Sequence, residues 1–279
     1  MSASSVPLGR DGLAKRARRV PGVALSVAVL VVGLVLVAPF FLPSPTRQHL
    51  THSLASPSGS SPLGTDQLGR DMLARVVAGV RLDLIVAVGA LVVPILIGAG
   101  LGALAGWYGG WVDEAIGVVA DVVQAFPYYL FIIVLAFFLG AGVTSILVAV
   151  AAVAWVSYMR NVRAEVQAAL QQDYVRVAIG AGYSTRRILV RHVLPNVYKQ
   201  PLAYALTDVV VVIVSTATLS YLGVGIAPPT PELGALVSDG QQFLTSHPLL
   251  AVAPGLAVVL IGVVLSVLGN ALHRRLDDS

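Results

Sequence analysis

From Leu84 to Val112 the chain reads LIVAVGALVVPILIGAGLGALAGWYGGWV, without one Asp, Glu, Lys or Arg. A bilayer's hydrocarbon core is about 30 Å thick, and about 20 helical residues cross it at about 1.5 Å each. This stretch is long enough to cross and too uniformly apolar to be a surface helix of a water-soluble domain. Similar stretches recur along the chain. One runs from Val20 to Thr46 and another from Val122 to Met159. A further one begins at Pro201 and reaches about Gly225, with Asp208 inside it, and the last covers about Leu249 to Leu272. The Val122–Met159 run is too long for a single helix. Extended back over Asp121 to Ala115, it fits two helices hinged near Gly140-Ala141-Gly142, with Thr144 as the N-cap of the second. The prediction is an all-α, polytopic membrane protein with six transmembrane helices.

Composition supports lipid as the solvent. Of 279 residues, 57% are hydrophobic and only 11% charged, with a mean hydropathy of +0.84. A soluble domain carries about 25% charged residues. The net charge of +4 and pI near 9.6 would suggest nucleic acid in a soluble protein, but here the basic residues are distributed by topology. Arg10, Lys15, Arg16, Arg18 and Arg19 precede the first span. Arg160, Arg163, Arg176, Arg186, Arg187, Arg191 and Lys199 lie between spans four and five, and Arg274 and Arg275 follow the last. These hold 14 of the 18 basic residues, and an even number of spans puts all three regions on one side. The positive-inside rule makes that side, and so both the N and C termini, cytoplasmic. The apolar run Val23–Leu42 is longer than a secretory signal's core and no clean small-x-small site follows it, so a retained helix is expected.

This reading divides the chain into a cytoplasmic N-terminal tail (1–22), a first transmembrane helix plus extracytoplasmic segment (23–79), a five-helix core (80–273) with a cytoplasmic loop (160–200), and a cytoplasmic tail (274–279). In the extracytoplasmic segment, residues 53–62 read as a flexible connector. Then comes Leu63-Gly64-Thr65-Asp66-Gln67-Leu68-Gly69-Arg70-Asp71, dense in turn formers and charges. Thr65 or Asp66 is placed to cap a short helix through Met72, Val76 and Val77. Local pairing of its Asp and Arg side chains is the favoured role. In the cytoplasmic loop, Val162, Val166, Leu170, Tyr174 and Ala178 recur every four residues, an apolar stripe on one helix. Gly180-Ala181-Gly182 breaks that helix, and Ser184 can cap a second that stops before Pro195. Such a loop suits either an anionic lipid surface or the groove of a soluble partner.

No catalytic or metal centre is legible. Cysteine is absent, which excludes disulfides and thiolate chemistry. The two lysines, Lys15 and Lys199, do not end a Gly-x-x-x-x-Gly-Lys-Ser/Thr loop, so the chain does not cradle ATP in that way. Asp121 and Asp208 are the ionisable residues placed within spans, each one or two turns from the cytoplasmic end. Such groups are costly in lipid and face a bundle interior or a watery path. A structural or pore-edge role is favoured for both over ion coupling.

Several stretches together resemble a known family. Arg176-Val177-Ala178, Gly182 and His192-Val193-Leu194-Pro195 are similar to the loop of bacterial ABC importer permeases, whose pattern is Glu-Ala-Ala, three residues, Gly, nine residues, Ile-x-Leu-Pro. Gly182, Leu194 and Pro195 match, while Arg176 replaces the family's glutamate and His192 its isoleucine. Gly64, Thr65, Asp66, Gly69, Arg70 and Asp71 resemble the N-terminal signature of the dipeptide, oligopeptide and nickel branch. Asp121 to Pro127 resembles that branch's third-span motif, and Leu219 to Gly225 with Pro228 to Pro231 the end of its fifth span. Thr216 stands where the family often has a glutamate. In all, the chain is most similar to the "C" subunit of dipeptide permeases. The resemblance implies a type I ABC importer permease fold, short peptides as substrate, and no enzymatic activity or cofactor in this chain. It implies a second homologous permease subunit, cytoplasmic ATPases that bind ATP and Mg, and an extracytoplasmic substrate-binding protein. Arg176, Val177, Ala178, Gly182, His192, Leu194 and Pro195 would then form the ATPase-coupling loop. The reversed charge at Arg176 implies compensating acidity on the ATPase. Nickel chelates, glutathione-like molecules and haem are alternative cargoes of the branch. No substrate-path residue is assigned from sequence.

Overall fold

The computed structural model describes residues 26, 28–197 and 199–277. The expected tail 1–22, the start of the first span and the last two residues lie outside them. Among the described residues there are helices and loops and no strand. We label the helices α1 (Ala28–Phe40), α2 (Met72–Tyr108), α3 (Gly110–Ala125), α4 (Tyr128–Leu139), α5 (Val143–Leu170), α6 (Asp173–Gly180), α7 (Thr185–Ile188), α8 (Leu194–Val197), α9 (Lys199–Tyr221), α10 (Leu233–Gln241) and α11 (Leu249–Asp277).

Helices α2, α5, α9 and α11 are each long and apolar enough to cross a bilayer. The pair α3 and α4 makes a fifth apolar unit, bent by 82°. Of the expected first span, the described part is the shorter apolar helix α1. The packing is that of a protein dissolved in lipid. Leu96 is 68% exposed and Phe137 80%, and Val259, Leu260 and Val263 are also open, whereas water would force such side chains inward.

The tightest contact joins α2 to α5, and glycines make it possible. Gly98, Gly102 and Gly106 recur every four residues on one α2 face. A Cβ at these positions would overlap the Trp155 carbonyl, the Met159 carbonyl and the Val166 side chain, respectively. Small residues at this spacing let two backbones approach within lipid, where no hydrophobic force drives helices together. α9 and α11 pack alongside, and Val209, Val212, Ile213, Ile261 and Leu265 join Leu84, Ala87 and Leu91 of α2 in one core.

Several boundaries differ from expectation, each for a local reason. The expected short helix and second span are one helix, α2, because nothing between Met72 and Leu84 breaks it. Its cap is Asp71, whose Oδ1 accepts the Ala74 N–H at 2.8 Å; Thr65 and Asp66 are used elsewhere. The hinge at Gly140–Gly142 is present, but a sharper break precedes it at Phe126–Pro127. Proline disfavours helical backbone in the residue before it, and Phe126 is extended at ψ 137°. Thr144 does not cap α5; Gly142 occupies that position, and the Ser145 hydroxyl donates back to the Gly140 carbonyl. The expected single stripe over 162–178 is split at Gln171-Gln172 between the end of α5 and α6. Ser184 precedes α7 without a capping side-chain bond. Helical backbone also continues through Pro195. A π-helical segment, Leu189–Val193, widens the turn ahead of the proline that lacks an N–H.

Candidate functional site

Two clusters lie at opposite ends of α2. Beside its N-terminus, the Gly64–Asp71 motif folds around one carboxylate. Asp66 accepts the backbone N–H groups of Leu68 and Arg70, each at 2.9 Å, and Nε of Arg70 at 2.6 Å. The Arg75 guanidinium, one turn into α2, donates to the same oxygen as Arg70. All three side chains are nearly sealed from solvent. Burial by itself would raise the Asp66 carboxyl, but the bonds from Arg70 and the charges of Arg75 and Arg70 outweigh it and hold it below the ordinary aspartate value. Thr65 accepts the Ala55 N–H at 2.9 Å and donates to the His52 carbonyl, tying the 49–55 segment down. Gly69 is required by two facts: its φ is +70°, and a Cβ there would overlap the His49 carbonyl. The motif's role is thus structural, in agreement with the local pairing expected from sequence.

Helix α10 closes the same end. Glu232, fully buried, caps it by accepting the N–H groups of Gly234 (3.0 Å) and Ala235 (2.8 Å). Burial pushes its carboxyl above the ordinary glutamate range despite these bonds. Asp83 of α2 is also buried and accepts the Leu233 N–H at 3.4 Å. Sequence reasoning missed this pair, because 150 positions separate Asp83 from Leu233 and no local pattern joins them.

At the other end, the 160–197 segment forms a platform with two distinct faces. Its inner face is Val162, Val166 and Ala169 of α5, Val175 and Ala178 of α6, and Ile188, Val193 and Val197, all buried together with Ala103 of α2. The stripe, expected from sequence to meet either a lipid surface or a partner's groove, is therefore largely the platform's own core. The turn after α6 is a Schellman motif. Tyr183 N–H bonds to the Ala178 carbonyl and Gly182 N–H to that of Ile179, with Gly182 at φ +76°. The outer face carries Val177 (70% exposed), Ile179 and Val190. Tyr183 lies beside them, stacked on His192 with ring centroids 6.3 Å apart, and the Arg187 guanidinium sits 4.3 Å from its centroid. Arg176 is exposed and donates to the Gln171 side chain at 2.8 Å. Leu194 packs against the inner cluster and Pro195 is exposed. Of the seven loop residues singled out from sequence, Ala178 and Leu194 meet in the inner cluster, while Arg176, Val177, Gly182 and Pro195 are exposed.

The two carboxylates expected within spans part company. Asp121 is open at 73% and pairs with Arg160 at 2.7 Å, next to the bidentate pair of Arg163 with Asp113. Asp208 is half-buried, and Tyr158 Oη donates to its Oδ2 at 3.0 Å. Among the described residues no cationic side chain pairs with Asp208.

The family model described as binding-protein-dependent transport system inner membrane component matches residues 98–278, more than half of the chain. The dipeptide transport system permease protein DppC of Lactococcus lactis is 33% identical over 203 residues, 73% of this chain and 59% of that one. DppC of Alkalihalophilus pseudofirmus is 32% identical over 257 residues, 88% of this chain and 84% of that one. The glutathione transport system permease protein GsiD of Pectobacterium atrosepticum is 32% identical over 251 residues, 89% and 83% of the two chains. Among solved structures, a chain of the inward-facing MetNI methionine ABC transporter superposes with a TM-score of 0.57 at 15% identity, over 74% of this chain and 97% of that one, a likeness of fold. With that fold, these relatives and a family match running from mid-α2 through α11, this chain belongs to the binding-protein-dependent transport system inner membrane components, the permease subunits of ABC importers.

Proposed function

We propose that this chain is one transmembrane half of an ATP-driven importer of short peptides in a bacterial inner membrane, with six spans and both termini cytoplasmic. A second permease subunit of related fold completes the path. Cytoplasmic ATPases bind the ATP and Mg, and an extracytoplasmic binding protein delivers the substrate. No cofactor or catalytic step is assigned to this chain. Peptide as cargo is supported by the names of the relatives, whose dipeptides and glutathione are alike small, peptide-bonded and charged.

The two-faced platform carries this reading. Its inner face is already buried against α2 and α5, so the segment moves with those helices as one body. Its outer face presents Val177, Ile179 and Val190 to solvent beyond the ends of the spans, ringed by Arg176, Arg187 and Arg191. Apolar side chains exposed on a rigid element outside the lipid suit a pocket on a soluble partner. Closure of the ATPases on ATP then pushes the platform, and the α2–α5 pair carries that motion into the bundle.

Val177→Asp tests it. The substitution places a charge on the outer face and leaves the inner cluster untouched. The assembled complex is expected to lose its ATPase on affinity purification, and substrate-stimulated hydrolysis to fall by about tenfold or more, the scale of a central interface anchor. Full ATPase recovery and unchanged stimulated hydrolysis would sink the assignment.

A further inference from the structure

Two cavities between the spans differ in chemistry. One, of about 600 Å³, lies between α1, α2, α9 and α11 and is lined by aliphatic side chains such as Val32, Leu84, Val88 and Leu265. It offers nothing to a hydrophilic solute and suits lipid chains. The other, of about 500 Å³, opens where α3 breaks into α4 and is walled by α5 and α9. Gln124, Tyr128, Ser157, Tyr204 and Asp208 all contribute to its lining.

Among the described residues that line this cavity, Asp208 is the single acidic one and none is cationic. The cavity near Gly110 and Met159 differs in carrying its own cations, with Arg160 on Asp121 and Arg163 on Asp113 and Glu114 also in the lining. Tyr158 holds Asp208 through one oxygen, and Tyr204 meets Tyr158 edge-to-face with centroids 5.4 Å apart. Tyr204 keeps about a third of its surface open. A carboxylate fixed by a buried hydroxyl, without a cation and with aromatic rings beside it, is a receptor for an ammonium group. The carboxylate supplies charge and hydrogen-bond acceptors, and Tyr128 and Tyr204 line the same cavity. Asp208 lies seven residues beyond Pro201, so about 10 Å of helix separates it from the start of the span.

We propose that the Asp208 cavity is a substrate subsite in the translocation path that receives the free N-terminal ammonium of a peptide. This rests on the peptide-import reading above. Asp208 supplies the charge, Tyr158 positions it, and Tyr204 lines the approach.

The test uses the whole complex in proteoliposomes with its binding protein and a labelled dipeptide. At about pH 7, D208N is expected to lower uptake kcat/KM by about tenfold or more, the scale of a lost charge-assisted hydrogen bond, while D208E retains part of it and Y158F, which keeps the charge but loses its positioning bond, falls by a smaller factor than D208N. Asn at 208 can still accept the Tyr158 bond, whereas Y158F deletes that bond and keeps the charge. The wild-type to D208N ratio is also expected to shrink toward one by about pH 9.5, as the peptide amine deprotonates above its ordinary value of about 7.7–8.0. Three results overturn the subsite: D208N uptake within about twofold of wild type, an equal loss in Y158F with the complex intact, or a ratio unchanged with pH. If D208N fails to assemble, Y204L carries the test, since Tyr204 lines the same cavity: uptake within about twofold of wild type overturns the subsite, and a larger fall with the complex intact supports it. A wild-type complex that imports no dipeptide overturns the peptide reading and this subsite with it, whereas wild-type import with an unaffected D208N overturns the subsite alone.

Discussion

Asp66 is the residue on which the segment between α1 and α2 depends most. One buried carboxylate neutralises two buried guanidiniums and collects two backbone N–H groups. Asp66→Ala leaves Arg70 and Arg75 sealed without their counter-charge. Removing one partner of a buried ion pair costs about 3–5 kcal/mol, so the variant's unfolding midpoint in detergent should drop by several degrees. The pH dependence follows from the sign of the shift. The folded-state Asp66 carboxyl lies below its ordinary value, so its stabilisation is complete above about pH 3.9 and is lost as pH falls through the folded value. An acid titration of wild type should show that loss, and Asp66→Ala should lack it. The motif's turn formers and charges were legible in the sequence, as was their local pairing. That Arg75, from the following helix, completes the cluster was not, since helical spacing says nothing about which side chains reach back to a preceding loop.

At the scale of elements, the α2–α5 pair is the bundle's spine. Gly98, Gly102 and Gly106 recur every four residues, but a repeat of that kind does not name its partner helix, and only the fold supplies it. Gly102→Val places a branched side chain against the Met159 carbonyl and the Arg163 N–H, which are backbone and cannot step aside. Separating the two helices there forfeits their packing, at about 2–5 kcal/mol by analogy with core disruption. A fall in unfolding temperature, together with loss of stimulated ATP hydrolysis, is the expected pair of readouts. The platform shows the opposite lesson. Its four-residue apolar periodicity was real, but periodicity cannot tell a face buried within the chain from one awaiting a partner. The Schellman turn at Gly182 swings α7 and the π-helical segment back so that Ile188 and Val193 cover Val166 and Val175, and this leaves Val177 and Val190 outermost.

For the whole molecule, the proposed topology can be tested without background because the chain contains no cysteine. Single cysteines introduced for Ser58, in the loop before α2, and for Ser184, before α7, should react with a membrane-impermeant maleimide from opposite faces of the membrane. Labelling of both from one face would remove the six-span arrangement and, with it, the cytoplasmic placement of the platform. Span counting from sequence depends on charge-free length, which locates α2, α5, α9 and α11. At α3 and α4 it finds one apolar unit, within which a proline turns the chain by 82°.

Membrane residence, helical class and family were determined by the sequence alone. Hydropathy and ordered local motifs are properties of contiguous residues and survive without knowledge of contacts. Only the tertiary structure decided which of those residues face each other. It joined Asp83 to Leu233 beside the Glu232 cap, buried the loop's apolar stripe, separated Asp121, paired with Arg160, from Asp208, held by Tyr158, and opened a cavity beside the latter. The physical reason is common to all four. A charge or an apolar face acquires its role from what lies within a few ångströms, and in this bundle those neighbours come from helices far apart in the chain.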